Sequence, residues 1–309
     1  MDRPVVKAAI DIGSNSIRLL IAESFNNEYF ELYRDIITTR LGEGVQTDNI
    51  LTQKSMETTV QALQNFWEQI KNYNAQLVSV VATSAVREAG NSQEFLQKVD
   101  LETQLTTKIE IIDGNREAEL TYKGVAADFG TQVQIFDLGG GSLELISPPP
   151  EQMQSVTFGA VKAAELFCDK EGKVGNPELI NDKFQEKLFD VIGDKTKTSD
   201  LNKNVGYVKL VGVGGTATYL AKAYKRIPVY DSNVVHGTYL DSDKLSTLLN
   251  EMNKCNLDKR VNNFYIPRNR ADIIVAGGYI IRYLLDYLDY TGYYASDSDI
   301  LKGMILEQT

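Results

Sequence analysis

Two closely similar blocks of residues carry the chemistry that this sequence offers. They are Asp11-Ile12-Gly13-Ser14-Asn15-Ser16-Ile17-Arg18-Leu19 and Asp137-Leu138-Gly139-Gly140-Gly141-Ser142-Leu143-Glu144-Leu145. Both read D-h-G-x-x-S-h-x-L, where h is aliphatic, and roughly one domain's length of chain separates them. A Gly/Ser turn lets backbone amides approach an anion without a Cβ in the way. The pair predicts binding of a phosphate chain, with Asp11 and Asp137 available to a metal ion; two ordinary glycine hairpins are the alternative.

A third glycine turn follows a later strand. Gly212 to Ala217 fits G-x-G-x-x-A, the dinucleotide fingerprint, and Asp231 lies near the expected distance downstream. That fingerprint usually opens the first βα unit of a domain, whereas here it comes late in its half of the chain. The position favours an anion-binding turn at a helix N-terminus, formed by Gly214, Gly215 and Thr216. Tight packing of a helix on a strand is the other interpretation.

Two charged residues follow predicted strands and are candidates for catalysis. Glu117 lies in Asn115-Arg116-Glu117-Ala118-Glu119, at the start of a predicted helix. An acid there is expected from the helix dipole alone, and it could equally be a general base. Arg87 ends the block Ala82-Thr83-Ser84-Ala85-Val86-Arg87, just after a buried strand, where it is either a phosphate clamp or a surface residue.

Composition excludes several classes of protein. The 309 residues include one histidine, His236, which excludes a multi-histidine metal site and argues against a Ser-His-Asp hydrolase. Cys168 and Cys255 fit no C-x-x-C pattern and are expected to be free thiols. The net charge of −10 argues against a nucleic-acid partner, so anion binding must be local. No P-loop motif, signal peptide or long apolar run is present, which predicts a cytoplasmic protein without a membrane partner.

Hydrophobic periodicity predicts an α/β protein whose strand–helix pattern starts twice. Segments that alternate or run apolar predict strands at 5–12, 16–23 and 28–39, and Thr52 is expected to cap a long helix. Further strands are predicted at 77–83 and 109–112, followed by a helix from 115 to about 127. The pattern then restarts with strands at 133–137, 143–146, 153–158 and 207–213, and with helices at 160–168, 177–192, 215–224, 241–253 and 270–288. These elements predict two lobes, at residues 1–129 and 130–309.

Taken together, these residues resemble the exopolyphosphatase/guanosine pentaphosphate phosphohydrolase family, a branch of the actin-like ATPase superfamily. The resemblance extends in order over essentially the whole chain. It rests on the two repeated blocks, the two charged blocks and the Gly214 turn, and also on Arg40-Leu41-Gly42-Glu43-Gly44, Gly159-Ala160-Val161 and Ala276-Gly277-Gly278. It implies two actin-like (ribonuclease H-like) lobes, each a mixed sheet with helices, and an interdomain cleft.

The resemblance also implies an activity and roles for particular residues. The activity is Mg²⁺- or Mn²⁺-dependent hydrolysis of the terminal phosphate of inorganic polyphosphate, of guanosine pentaphosphate, or of both. Glu117 matches the catalytic base that activates water, and Arg87 matches a residue near the phosphate. Asp137 and Glu144 match the metal-associated acids, with Asp11 as a third candidate ligand. The expected phosphate-binding residues are Gly13, Ser14, Asn15, Gly139, Gly140, Gly141, Ser142, Gly214, Gly215 and Thr216. A homodimer is a further expectation.

The sequence departs from the family pattern in two places, and two other functions stay open. The chain ends at Thr309 without the C-terminal helical extension of longer members, which favours short polyphosphate chains. Leu143 stands where the family usually has threonine. An ATP-dependent kinase or ATPase of the same superfamily is the first alternative, and a non-catalytic sensor of guanosine polyphosphate or polyphosphate is the second.

Overall fold

The contacts between residues divide the chain into two units. A computed structural model describes residues 5–25, 28–147, 152–192 and 209–307. The first unit comprises Met1–Gly124 and Ile300–Thr309, and the second comprises Val125–Asp299. The division falls inside one helix, and the last helix of the chain belongs to the first unit.

The first unit contains a mixed sheet of five described strands. These are β1 (Val5–Ile12), β2 (Ser16–Phe25), β3 (Glu28–Thr38), β4 (Gln76–Ala82) and β5 (Ile109–Ile111), in the order β3-β2-β1-β4-β5. β1 pairs antiparallel with β2 and parallel with β4. Residues 7–12 of β1 are all buried, as expected of a central strand covered on both faces. The predicted three-stranded meander is confirmed.

Helices cover both faces of this first sheet. They are α1 (Val45–Asp48), α2 (Gln53–Asn72), α3 (Ser84–Glu88), α4 (Ser92–Glu102), α5 (Gly114–Phe129) and the C-terminal α13 (Ile300–Glu307). Thr52 caps α2 by accepting a hydrogen bond from Ser55 N at 3.2 Å. The apolar face of α2 packs on Ile10 and Ile12 of β1, whereas α13 packs with Ala9 on the opposite face. Both faces of β1 are therefore core.

The second unit contains a mixed sheet of six described strands. These are β6 (Val133–Leu138), β7 (Leu143–Ser147), β8 (Gln152–Val156), β9 (Lys209–Val213), β10 (Tyr239–Asp241) and β11 (Gly292–Ala295), in the order β10-β11-β9-β6-β7-β8. β6 pairs antiparallel with β7 and parallel with β9. The β6–β7–β8 meander therefore repeats the β1–β2–β3 arrangement of the first unit.

One contiguous hydrophobic core supports the second sheet. Its helices are α6 (Ala160–Phe167), α7 (Pro177–Ile192), α8 (Gly214–Lys225), α9 (Ser232–Val235), α10 (Ser242–Asn253), α11 (Leu257–Phe264), a 3₁₀ turn (Arg268–Arg270) and α12 (Ile274–Leu288). Every residue of α12 from Ile274 to Ile281 is buried. A Cβ on Gly277 would lie 2.8 Å from Thr216 Cγ2 and 2.9 Å from Ala160 Cβ. Gly277 therefore allows α12 to pack directly against the first turns of α6 and α8.

The predicted fold class is confirmed. The chain is an α/β protein with two mixed sheets, each accompanied by helices. Within the described residues, no helix combines the length and the apolar character needed to span a bilayer.

Candidate active site

The first Gly/Ser turn connects β1 to β2 and keeps backbone donors exposed. Gly13 N donates to Ser16 O at 3.1 Å, which closes the turn. The carbonyl of Ser14 accepts a hydrogen bond from Gly42 N at 2.8 Å, and that of Asn15 accepts one from Arg40 N at 2.9 Å. Among the described residues, none accepts a hydrogen bond from the amide of Ser14 or Asn15. A turn whose carbonyls are occupied and whose amides remain available is suited to an anion.

Asp11 forms an ion pair with the residue opposite it on the neighbouring strand. It is 2% exposed and lies in register with Arg18. The guanidinium of Arg18 donates to Asp11 Oδ2 from Nε at 2.8 Å and from Nη2 at 2.5 Å. A buried carboxylate needs such a partner, because an uncompensated charge in the interior is costly.

Arg87 lies in α3, just beyond the carboxyl end of β4. Its Nη1 donates to the carbonyl of Ile112 at 2.8 Å, and about a third of its side chain is exposed. The hydroxyls of Ser14 and Ser84 are 2.8 Å apart, which joins the first turn to the start of α3. The structure thus brings Arg87 and the first turn to neighbouring positions within the first unit.

Glu117 lies in the first turn of α5 and is partly buried. Asp113 precedes this helix, and its Oδ1 accepts a hydrogen bond from Arg116 N at 2.8 Å. The neighbouring Arg116 side chain pairs with Glu119 and with Glu307 of α13, and both contacts raise its pKa. Arg116 is therefore held by carboxylates of α5 and α13, while Glu117 lies in the first turn of α5.

The second Gly turn has the same construction as the first. Gly139 N donates to Ser142 O at 3.0 Å, as Gly13 N does to Ser16 O. The carbonyls of Gly139 and Gly140 accept hydrogen bonds from the first amides of α6, those of Ala160 at 3.0 Å and Val161 at 2.9 Å. In the part of the chain that is described, the amides of Gly140 and Gly141 have no acceptor. This turn too presents donors to an anion.

Asp137 and Glu144 are paired across β6 and β7, directly beside the second turn. Glu144 Oε1 accepts a hydrogen bond from Ser155 Oγ at 3.0 Å. Burial raises the pKa of Glu144 from its ordinary value, although hydrogen bonds from Ser142 and Ser155 oppose that shift. The side-by-side acids, both partly buried, form an arrangement that a cation would stabilise.

The third turn, at the start of α8, packs against the same acids. Gly214 has a φ of +82°, and a Cβ there would lie 2.4 Å from Asp137 Oδ1. Thr216 Oγ1 donates to Leu138 O at 3.4 Å. β6 and β9 are parallel, so their carboxyl ends bring Asp137, the Gly139–Ser142 turn and the Gly214–Thr216 turn to one edge of the second sheet.

A magnesium ion fits the donor set of this edge. Mg²⁺ prefers oxygen ligands and is commonly held by one or two carboxylates together with substrate phosphates. Asp137 and Glu144 supply two carboxylates, and the glycine at 214 leaves the space beside Asp137 that a Cβ would fill. Over the described residues, no cluster of three or more His, Cys, Asp or Glu side chains could hold a metal by itself. The acids therefore fit an ion whose coordination is completed by a ligand.

The structure adds cations that the motifs did not indicate. A Cβ on Gly215 would collide with the Arg270 guanidinium, 2.4 Å from Nη1, so Arg270 lies against the third turn. This guanidinium also stacks on the ring of Tyr219, 5.3 Å from its centroid. Lys162 in α6 lies beside Gly141 of the second turn. Arg270 belongs to a 3₁₀ turn far along the chain, and no spacing rule connects it to Gly215.

A known protein family matches most of the chain. The Ppx/GppA phosphatase family matches residues 20–309. The chain belongs to the Ppx/GppA phosphatase family. Exopolyphosphatase 2 of Mycobacterium tuberculosis is 27% identical, over 97% of each chain. A bifunctional 3-dehydroquinate synthase/phosphatase of Fusobacterium nucleatum is 32% identical over 98% of this chain, which spans only 46% of that relative's length.

Solved structures of the Ppx/GppA family have the same fold. The crystal structure of the Aquifex aeolicus family member superposes with a TM-score of 0.83 at 28% identity, over 99% of this chain and 98% of that one. An exopolyphosphatase from Cytophaga hutchinsonii superposes with a TM-score of 0.80 at 22% identity, over 98% and 97% of the two chains, and supports the fold alone. The family interpretation of the motifs is confirmed, while the roles of individual site residues and the metal stay predictions.

Proposed function

We propose that this protein is a Mg²⁺-dependent phosphohydrolase that releases the terminal phosphate of short inorganic polyphosphate, guanosine pentaphosphate, or both. The observation that carries the proposal is the edge of the second sheet. There two paired acids, Asp137 and Glu144, adjoin two backbone turns suited to phosphate. Membership of a phosphatase family and the exopolyphosphatase name of the Mycobacterium relative support the same reaction.

In this proposal backbone amides bind the phosphate chain. The donors beside the acids Asp137 and Glu144 are the amides of Gly139–Ser142 and Gly214–Thr216, and within the first unit the amides of Gly13–Asn15 are further candidate donors. Arg87 and Arg270 add positive charge beside the first and third turns, respectively. Phosphoryl transfer depends chiefly on positioning and on cancelling charge on the transferring group, which these fixed donors supply.

Glu117 is proposed to orient and deprotonate the attacking water. We propose a carboxylate for this step; the chain's one histidine, His236, accepts a hydrogen bond from Asp297 N at Nδ1. Glu117 lies in the first turn of α5, and its carboxylate is the proposed proton acceptor.

Asp137 and Glu144 would hold the Mg²⁺, with Asp11 as a third candidate. When bound, the ion neutralises charge on the phosphate oxygens. Binding of the cation would also offset the burial that raises the pKa of Glu144 and would favour its ionised form.

The decisive experiment measures phosphate release from three substrates in parallel with Mg²⁺. The substrates are tripolyphosphate, long-chain polyphosphate and guanosine pentaphosphate. Each is tested with the wild-type protein, with Glu117→Gln and with Glu119→Gln, which alters an exposed acid of the same helix. The proposal expects release by the wild type and by Glu119→Gln, and a loss of about 100-fold or more in Glu117→Gln.

Two outcomes would contradict the proposal. Full turnover in a folded Glu117→Gln protein would remove Glu117 as the base. Binding of the phosphates without any release by the wild type would indicate a sensor, and transfer from ATP to an added hydroxyl compound would indicate a kinase.

A further inference from the structure

We propose that Lys162 is a phosphate-binding residue of the second turn and contacts the phosphate chain of the substrate. The inference rests on the proposed function and identifies the side chain that supplies positive charge beside the acids Asp137 and Glu144. A protein of net charge −10 that places two acids beside its phosphate turn must offset their repulsion of a polyanion.

The position of Lys162 is fixed by the way α6 docks on the turn. The amides of Val161 and Lys162 donate to Gly140 O, at 2.9 and 3.3 Å. A Cβ on Gly141 would lie 4.0 Å from Lys162 Cε, so the end of the lysine stem lies along the bare glycine backbone. Side chains of a helix lean toward its N-terminus, which directs this one to the turn.

The ammonium group of Lys162 has only a weak partner in the described structure. Nζ donates to Thr157 O at 3.4 Å, the long limit of a hydrogen bond. No described carboxylate lies within 4.0 Å of it, although Glu165 is three residues further along the same helix. Other lysines do pair with an acid at that spacing, for example Lys71 with Glu68 and Lys183 with Glu186. Lys162 is therefore held beside the turn without a counter-ion among the residues that the structure describes.

The surroundings of the ammonium connect it to the proposed metal pair. Thr157 follows β8, whose Ser155 hydroxyl donates to Glu144 at 3.0 Å. Lys162 thus lies between the exposed amides of Gly140 and Gly141 and the strand that supports Glu144. A phosphate oxygen at the turn would replace the weak contact with Thr157 O by a charge-assisted hydrogen bond.

The first turn shows a related arrangement. Its carbonyls are also covered by a second segment, and that segment also carries a cation, since Arg40 N donates to Asn15 O at 2.9 Å. Each of the two repeated turns therefore has a basic residue in the segment that closes it. This recurrence favours a role for Lys162 in anion binding over that of an ordinary surface lysine.

The test compares Lys162→Met with a matched control, Lys209→Met. Methionine keeps an apolar stem against Gly141 and removes the charge. Lys209 also donates to a carbonyl, Phe129 O at 3.3 Å. It lies at the amino end of β9, whereas the glycine turns lie at the carboxyl ends of β6 and β9. The two variants therefore change the net charge equally. Lys162→Arg tests for rescue by the conservative change.

Two readouts are needed. Calorimetry measures the affinity for tripolyphosphate in EDTA, and steady-state kinetics with Mg²⁺ separate KM from kcat. For Lys162→Met we expect binding weakened by about 10- to 100-fold, with a similar rise in KM and little change in kcat. Lys209→Met and Lys162→Arg should stay within about threefold of the wild type.

If Lys162→Met and Lys209→Met both bind tripolyphosphate as tightly as the wild type does, the inference is overturned, even if the wild type hydrolyses tripolyphosphate. If the wild type binds tripolyphosphate through Lys162 but releases no phosphate, the inference stands and the proposed hydrolase fails. Loss of binding in Lys209→Met equal to that in Lys162→Met would indicate a general charge effect and would also overturn it.

Discussion

Arg18 donates two hydrogen bonds to one carboxylate oxygen of Asp11, from Nε at 2.8 Å and from Nη2 at 2.5 Å. The two residues are directly opposite each other on β1 and β2. At the same register of the second hairpin, Asp137 lies opposite Glu144. One copy of the repeat therefore neutralises its aspartate with a cation, whereas the other places two acids side by side. This asymmetry favours Asp137 and Glu144 over Asp11 as ligands of a metal ion.

Replacing Arg18 by methionine should destabilise the first unit. The change leaves the Asp11 carboxylate, which is 2% exposed, without its guanidinium partner. Breaking a buried pair costs about 3–5 kcal/mol, and the partial exposure of Arg18 reduces this to about 2–3 kcal/mol. Urea unfolding measures the difference.

Lys71→Met is the control for Arg18→Met, because it breaks an exposed pair with Glu68 that contributes less than about 1 kcal/mol. Asp11→Asn in the Arg18→Met background should recover part of the loss. If Arg18→Met and Lys71→Met unfold at the same urea concentration, the Asp11–Arg18 pair does not stabilise the fold.

Glu144→Gln should stabilise the metal-free protein at neutral pH and weaken its metal binding. Burial raises the pKa of Glu144 above its ordinary value of 4.5, so the folded protein holds this proton more tightly than the unfolded chain does. Stability contributed by the protonated form is present at low pH and is lost as the pH rises through the raised pKa. The advantage of Glu144→Gln should therefore be absent near pH 4 and grow toward pH 7.

Thermal unfolding with and without Mg²⁺ checks both parts of the Glu144 prediction. The ion should raise the Tm of the wild type more than that of the variant, since a ligand stabilises only the state that binds it. Glu186→Gln is a useful contrast, because salt bridges lower the pKa of that exposed acid. A Tm difference between wild type and Glu144→Gln that does not vary with pH would contradict this account.

Much of the fold and part of the site could be predicted from the sequence because the signals are local. Short runs or alternations of apolar residues define β1 to β3, and the spacing of apolar residues defines α2. The pairing of Asp137 with Glu144 follows from a tight hairpin turn, since such a turn fixes the register of its two strands. The second turn and the carboxylates beside it could therefore be predicted from the sequence.

The remaining features depend on contacts between segments that are far apart in the sequence. Ser14 contacts Ser84 across 70 residues, and Arg270 reaches Gly215 from a 3₁₀ turn that precedes α12. The restart of the strand pattern gives no sign that α13 returns to the first unit, where Gly303 packs against the backbone of Leu120. Periodicity describes one element at a time and carries no information about such contacts.

Gly214→Ala should remove metal binding and activity, because the third turn packs directly on an acid of the proposed metal pair. The φ of Gly214 is +82°, a conformation that costs an alanine about 1–2 kcal/mol, and the new Cβ would lie 2.4 Å from Asp137 Oδ1.

Gly237→Ala separates these two effects, since Gly237 has a φ of +76° and nothing within 4 Å of an added Cβ. The control should lose about 1–2 kcal/mol of stability and keep its Mg²⁺ affinity, whereas Gly214→Ala should lose more stability and displace Asp137. Urea unfolding and Mg²⁺ titration of both variants measure this. Wild-type Mg²⁺ affinity and turnover in Gly214→Ala would show that the contact between this turn and Asp137 has no part in the site.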